Sequence, residues 1–225
     1  MNLSQFVPGS LYGPLRRALT PTVAGRVRHD HIALTFDDGP DPISTPLFLD
    51  LLDTYQVRAS FFLIGERAEV YPEVVTEIAA RGHELAVHGW THTCVVKVRP
   101  EALADQVRRT KALLESLGAP PVRWYRPPYG IATTASNQAA RGAELNPLLW
   151  TAWGRDWDRR ASPASVRRHV RRTLRPGGTV LLHDADAYGT PGSWKTTLAA
   201  VDGLLEEWVT AGVPVGTATE HLGPR

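Results

Sequence analysis

The sequence predicts an α/β fold, a distorted or incomplete (β/α) barrel of about seven parallel strands. Three observations carry this expectation. From His31 onward, short apolar runs alternate with longer segments of helical periodicity, the signature of parallel β/α units. Seven strand candidates can be counted, and 225 residues is short for an eight-stranded barrel of about 250. Polar clusters fall directly after the strands, where parallel β/α architectures gather their functional loops.

In chain order, the predicted strands are 31–36, 59–64, 84–87, 122–125, 148–152, 179–182 and 213–216. Helices are predicted between and after them at 45–52, 72–80, 101–117, 134–141, 164–174 and 196–210. In 101–117, Leu103, Val107, Leu113, Leu114 and Leu117 recur at helical spacing, and Gly118 is a stop signal. In 164–174, Ser162-Pro163 reads as N-cap and first helical residue, with Val166, Val170 and Leu174 four apart. No repeat, low-complexity segment or Gly/Ser linker marks a boundary, so residues 31–225 read as one domain and residues 1–30 as an N-terminal extension. Within that extension Phe6, Leu11, Leu15 and Leu19 are expected to pack against a barrel end, because its prolines break any long amphipathic helix.

Composition narrows the class. A net charge of +2 gives no basic field for nucleic acid, although 22 of the 25 basic residues are arginine. Eight of these cluster at Arg155, Arg159, Arg160, Arg167, Arg168, Arg171, Arg172 and Arg175, read as a solvated helix face, with an anionic substrate or membrane surface as the alternative. The single Cys94 excludes an intrachain disulfide and suits a reducing compartment. No run of about 18 apolar residues could span a membrane. Pro8, Pro14, Pro21, Arg16 and Arg17 interrupt any signal-like apolar stretch near the start, so a cytoplasmic location is expected, with the membrane surface as a second setting.

The chemistry lies in five clusters. After the first strand, Asp37-Asp38-Gly39-Pro40 places two adjacent carboxylates that repel each other unless a cation or proton lies between them; a solvated Asp-Gly turn is the simpler alternative. In a regular strand the two would face opposite sides, so the chain must bend for them to converge. After the third strand, His88 and His92 are four apart, and Gly89 favours a loop rather than a helix. Two histidines and a carboxylate with an open position make a catalytic rather than structural zinc-type site. His83 reads as a cap or core histidine and Cys94 as a small apolar residue. The remaining clusters are Arg126-Pro127-Pro128-Tyr129, Asp156-Trp157 and Leu181-Leu182-His183, in which Leu181 and His183 share a face.

These five motifs, Thr35–Pro40, His88–His92, Arg126–Tyr129, Asp156-Trp157 and Leu181–His183, resemble in order and spacing those of NodB-type polysaccharide deacetylases, carbohydrate esterase family four. The resemblance spans residues 35–183 and implies a NodB homology domain and a metal-dependent hydrolase that removes N-acetyl groups from an amino-sugar saccharide. It implies that Asp38, His88 and His92 hold one divalent metal, zinc first and cobalt, nickel or manganese as alternatives. Asp37 would be the general base on the attacking water, His183 the general acid, Asp156 the carboxylate that orients it, and Arg126 the residue that holds the base. Trp157 and Leu181 would shape the acetyl pocket, and the Tyr129 backbone N–H would help stabilise the oxyanion.

Two departures stand out: Gly89 replaces the Ser or Thr usual in the family, removing a hydroxyl that braces the loop, and Trp153 stands where an Asp is frequent. Trp90, Trp153, Tyr188 and Trp194 are candidates for stacking on sugar rings, with packing under loops equally open. Asp184 and Asp186 read as solvated turn residues. The expected partner is an acetylated amino-sugar saccharide, with a lipid-linked one and peripheral membrane contact kept open. The alternatives are a related hydrolase of an ester, formamide or cyclic amide, and an inactive carbohydrate-binding protein on the same fold.

Overall fold

The computed structural model describes residues 23, 25–27, 29–118 and 121–223. The expectation for Phe6, Leu11, Leu15 and Leu19 lies outside the described residues. Eight short strands form one sheet whose every pairing is parallel. They are β1 (Ile32–Asp37), β2 (Ser60–Leu63), β3 (Glu84–Val87), β4 (Trp124–Tyr125), β5 (Asn146–Pro147), β6 (Ala152–Trp153), β7 (Thr179–His183) and β8 (Val215–Gly216). The spatial order is β5-β4-β3-β2-β1-β7-β6, with β8 paired to Ile32 and Ala33 at the start of β1. β5 and β6, the ends of this path, do not pair, so the sheet is a curled half-barrel open along one seam.

The helices are α1 (Ser44–Thr54), α2 (Gly65–Val70), α3 (Pro72–Ala80), α4 (Pro100–Ser116), α5 (Thr134–Gly142), α6 (Pro163–Thr173), α7 (Ser193–Thr210) and α8 (Ala218–Leu222). Six match the predicted helices to within a few residues. The other two, α2 and α8, have six and five residues, too few for a 3.6-residue period to be read. The structure replaces the predicted strand at 148–152 with two fragments. The ladder to β4 ends with the Leu148 N–H on the Tyr125 carbonyl at 2.9 Å; the chain then leaves the sheet, gives its Leu148 and Leu149 carbonyls to Arg126, crosses the seam, and rejoins the sheet beside β7 at Ala152. The described part of the N-terminal segment lies along this seam: Val23 accepts from the Leu149 N–H at 2.7 Å, and Gly25 accepts from Thr179 Oγ1.

β1, central and buried along its whole length, fixes the core. Phe36 packs on Phe48 of α1 and Phe61 of β2, with ring centroids 5.2 Å apart in both pairs. α6 starts where Ser162 and Ser165 cap each other reciprocally; it buries Val166 and Val170 and exposes Arg168, Arg171 and Arg172, a solvated arginine face. None of the described helices is long and apolar enough to cross a membrane.

Phe61 is fully buried, between Phe36 and the His83 ring. Phe61→Ala is expected to lower unfolding free energy by about 3–5 kcal/mol in urea titration. Val209→Ala, on the exposed face of α7, is expected to stay within about 0.5 kcal/mol of the parent.

Candidate active site

The C-terminal ends of the strands converge on a cavity of about 80 Å³ lined by Asp37, Asp38, His88, His92, Tyr129, Gly130, Trp150, Trp153, Trp157, Leu181, His183 and Tyr188. Strand register makes the convergence: β1 and β7 end side by side with Asp37 opposite His183. The bend that brings the two carboxylates together is at Asp38 itself, whose φ of +79° turns it out of the strand direction. Thr35 and Asp37, two apart, share one face, and both meet the fully buried Arg126. The Arg126 guanidinium donates to Asp37 Oδ1 at 2.6 Å, Thr35 Oγ1 at 3.0 Å, and the carbonyls of Leu148 and Leu149 at 3.0 and 2.9 Å. It also lies 3.9 Å over the Phe62 ring.

Asp38 Oδ1 stands 3.4 Å from His88 Nε2 and 3.3 Å from His92 Nε2. These three residues are the group among the described residues whose ligand atoms gather within 4.8 Å of one another. The His88 Nδ1 nitrogen lies 2.7 Å from the Arg126 carbonyl. A carbonyl only accepts, so Nδ1 carries a proton and Nε2 is the nitrogen that faces Asp38. Asp38 Oδ1 is buried with no hydrogen-bond partner, a costly state unless a cation takes its place. Burial raises the Asp38 carboxyl, and the neighbouring His92, His88 and His183 more than reverse this, holding it well below the ordinary carboxylate range. Burial, partly opposed by Asp38, lowers His92 to about 4, so it offers a neutral nitrogen at pH 7. One carboxylate and two imidazoles fit a borderline divalent metal such as zinc.

Across the cavity, His183 Nδ1 lies 3.1 Å from Asp156 Oδ1, while Nε2 faces Asp38 Oδ2 at 3.8 Å. Asp156 is fully buried and also accepts from the His183 backbone N–H at 2.7 Å and from Thr197 Oγ1 at 3.0 Å. Burial alone would lower the His183 pKa, but the charge and hydrogen bond of Asp156, with Asp38 and Asp37, raise it to about 10. The imidazolium is thus the neutral-pH form, with its Nε2–H directed into the cavity.

All the predicted site residues meet here. Eight line the cavity, and Arg126 and Asp156 stand behind Asp37 and His183. Thr197 and Glu66 carried no sequence signal. Glu66 accepts from the Tyr188 OH at 3.0 Å, which anchors a ring stacked 4.3 Å from His92 opposite Tyr129, at 4.5 Å. Trp150, Trp153 and Trp157 form a continuous aromatic wall reaching His183. Trp90 instead packs on Gly65 and under Arg109, and Trp194 packs against the core. Asp184 is fully buried, not solvated: its carboxylate accepts from Thr45 Oγ1 and packs over Gly39, and burial pushes it up to about 7. His83 is a core histidine, accepting from the Ala59 N–H at 3.2 Å. Gly89 has φ +100°, which strains any other residue, and its loop is braced by backbone instead of a hydroxyl: Gly65 and Glu66 N–H donate to the carbonyls of Gly89 and Trp90.

The family model for polysaccharide deacetylases matches residues 24–148. The chain belongs to the polysaccharide deacetylase family. It is 35% identical over 217 residues to a peptidoglycan-N-acetylglucosamine deacetylase of Bacillus cereus, covering 92% of this chain and 97% of the relative. It is 37% identical over 154 residues to a chitooligosaccharide deacetylase of a Bradyrhizobium, covering 68% and 70% of the two chains. Its structure resembles that of a carbohydrate esterase family 4 pseudoenzyme from Bacillus anthracis, with a TM-score of 0.78, 26% identity, and coverage of 87% of this chain and 66% of that one. Because a pseudoenzyme shares this polysaccharide deacetylase backbone, activity has to be argued from side chains.

Asp156→Asn is expected to bring the His183 pKa down from about 10 towards its ordinary 6.5, read by NMR titration of the imidazole. The raised pKa contributes stability that is complete below the unfolded value and lost as pH rises through about 10, so the variant's loss of stability should be largest at and below about pH 6.5 and shrink as pH approaches 10.

Proposed function

We propose that this polysaccharide deacetylase family member hydrolyses N-acetyl groups on N-acetylglucosamine-containing polymers or oligomers. The observation that carries the reading is the division of one cavity into a base and an acid, each held by its own buried partner. Arg126 grips one oxygen of Asp37, and Asp156 grips the far nitrogen of His183. The substrate class follows from the deacetylase relatives, whose named substrates are peptidoglycan N-acetylglucosamine and chitooligosaccharides.

Asp38, His88 and His92 would hold the divalent metal, zinc in our reading. Bound there, it would supply Lewis acidity that polarises the acetyl carbonyl and eases deprotonation of water. Asp37 takes the proton of the attacking water through Oδ2, because Oδ1 is committed to Arg126. The Arg126 pair balances the charge of this carboxylate and fixes its orientation. His183 donates its Nε2 proton to the amine nitrogen as the C–N bond breaks, giving acetate and the free amino sugar. Leu181 and Trp157 enclose the acetyl methyl on the apolar wall. The Tyr129 N–H is assigned to the carbonyl oxygen as negative charge develops. At the rim, Tyr188 and Trp153 present faces on which sugar rings stack.

Three outcomes test this reading. Chelation is expected to abolish acetate release from N-acetylated chitooligomers, and added zinc or cobalt to restore it. His92→Ala should lose the metal of this site and turnover together, measured by elemental analysis and acetate release; a fully active variant that has lost this metal would overturn the assignment. Asp37→Ala should keep the metal and lose about 10²–10⁴ in kcat. Release of formate or of an alcohol in place of acetate would redirect the reading to a formamide or ester, and metal-loaded protein that binds oligomers without releasing any acyl group would mark it inactive.

A further inference from the structure

A second histidine cluster lies at the opposite end of the barrel. His29 and His31 immediately precede β1, roughly 20 Å from the cavity at about 3.3 Å per strand residue. His221 is on α8, brought beside them because β8 pairs with the start of β1. The ring centroids are 5.4 Å apart for His31 and His221, 5.7 Å for His29 and His221, and 6.0 Å for His29 and His31. The two histidines of the candidate metal centre, His88 and His92, are likewise 5.4 Å apart.

The nitrogen geometry is more specific. His31 Nδ1 and His221 Nδ1 are 3.2 Å apart. Two imidazoles on one zinc-sized ion at ~2.05 Å subtend roughly 100° at that separation, close to tetrahedral. His221 is almost fully buried, and its Nε2 lies 3.0 Å from the Gly25 carbonyl. The carbonyl only accepts, so Nε2 carries the proton and Nδ1 turns its lone pair towards His31. His88 is arranged in the same way at the candidate metal centre, with one ring nitrogen on a carbonyl and the other facing the ligand cluster.

We propose that His31, His221 and His29 form a second, structural site for a divalent transition metal of the zinc, nickel or copper class. All three donors are imidazoles, which suit those ions and not magnesium or calcium. His31 and His221 already stand at ligand separation. His29 is exposed and its donor does not yet gather with theirs as Asp38, His88 and His92 gather, so it would have to swing in as the third ligand, with water filling the open position. The ion would fasten the segment ahead of β1 to the C-terminal helix, closing the end of the half-barrel remote from the substrate.

The test uses full-length, tag-free protein loaded with Zn²⁺, freed of loose metal by gel filtration, and measured for bound metal by mass spectrometry. Wild type should hold two equivalents, His88→Ala/His92→Ala one, and His29→Ala/His31→Ala one with deacetylation of chitooligomers retained. Copper-loaded His88→Ala/His92→Ala should show nitrogen hyperfine structure in its electron paramagnetic resonance spectrum. A folded His88→Ala/His92→Ala protein with no metal would overturn the proposal. Should that variant fail to fold, wild type holding one equivalent, unchanged by His29→Ala/His31→Ala, would overturn it equally, leaving a simple histidine–histidine hydrogen bond.

Discussion

The ion pair of Arg126 with Asp37, buried inside the half-barrel, is the interaction on which the rest of the site depends. A lone guanidinium in that position would be prohibitively costly to desolvate, and removing one partner of such a pair costs about 3–5 kcal/mol. Four donations from its guanidinium meet Asp37, Thr35 and two main-chain carbonyls, and its plane covers Phe62, so the charge is both neutralised and solvated by protein. Two of those partners, Leu148 and Leu149, belong to the strand-free stretch that crosses the open seam. The residue that fixes Asp37 therefore also joins the two edges of a barrel that its strands leave unclosed. The Arg126 carbonyl meanwhile sets the His88 tautomer, so base and metal ligand are oriented from one residue.

The acid side is built by the same logic with opposite sign. Asp156 sits at full burial with three donors around it, and its charge holds His183 protonated. Two carboxylates a few residues from strand ends thus take different roles because their partners differ: a guanidinium keeps Asp37 an acceptor, and an imidazole makes Asp156 the support of a donor. The departures from the family pattern fit this frame. Gly89 gives up a hydroxyl but gains a left-handed backbone that lets α2 brace the histidine loop through main-chain bonds. Trp153 joins Trp150 and Trp157 in an apolar wall where a carboxylate would add a further negative charge beside Asp156 and the carboxylate pair.

Periodicity made the long helices legible because packing and propensity agree there: the 101–117 pattern differs from α4 by one residue at each end. It failed where distant partners claim the backbone of an apolar run. Leu148, Leu149 and Ala152 read as a strand, yet Arg126 takes the Leu148 and Leu149 carbonyls and Val23 the Leu149 N–H, so the chain spends those residues bridging the seam. Short helices α2 and α8 escaped for lack of length, although α8 carries His221. Asp184 was misread for a related reason: a turn-type residue after a strand is usually solvated, and only the approach of Thr45 and Gly39 from α1 and its preceding loop buries it.

The sequence by itself determined the alternation of strands and helices, the family through motifs in a fixed order, and the sharing of one face by Leu181 and His183. Those features are local or one-dimensional, so spacing suffices to read them. The tertiary structure alone decided which side chains stand behind them: Thr197 on Asp156, Glu66 on Tyr188, the carbonyls on Arg126, and the meeting of His31 with His221 across 190 residues. Contacts between distant segments depend on strand order and register, which parallel pairing fixes in space and which no local spacing encodes.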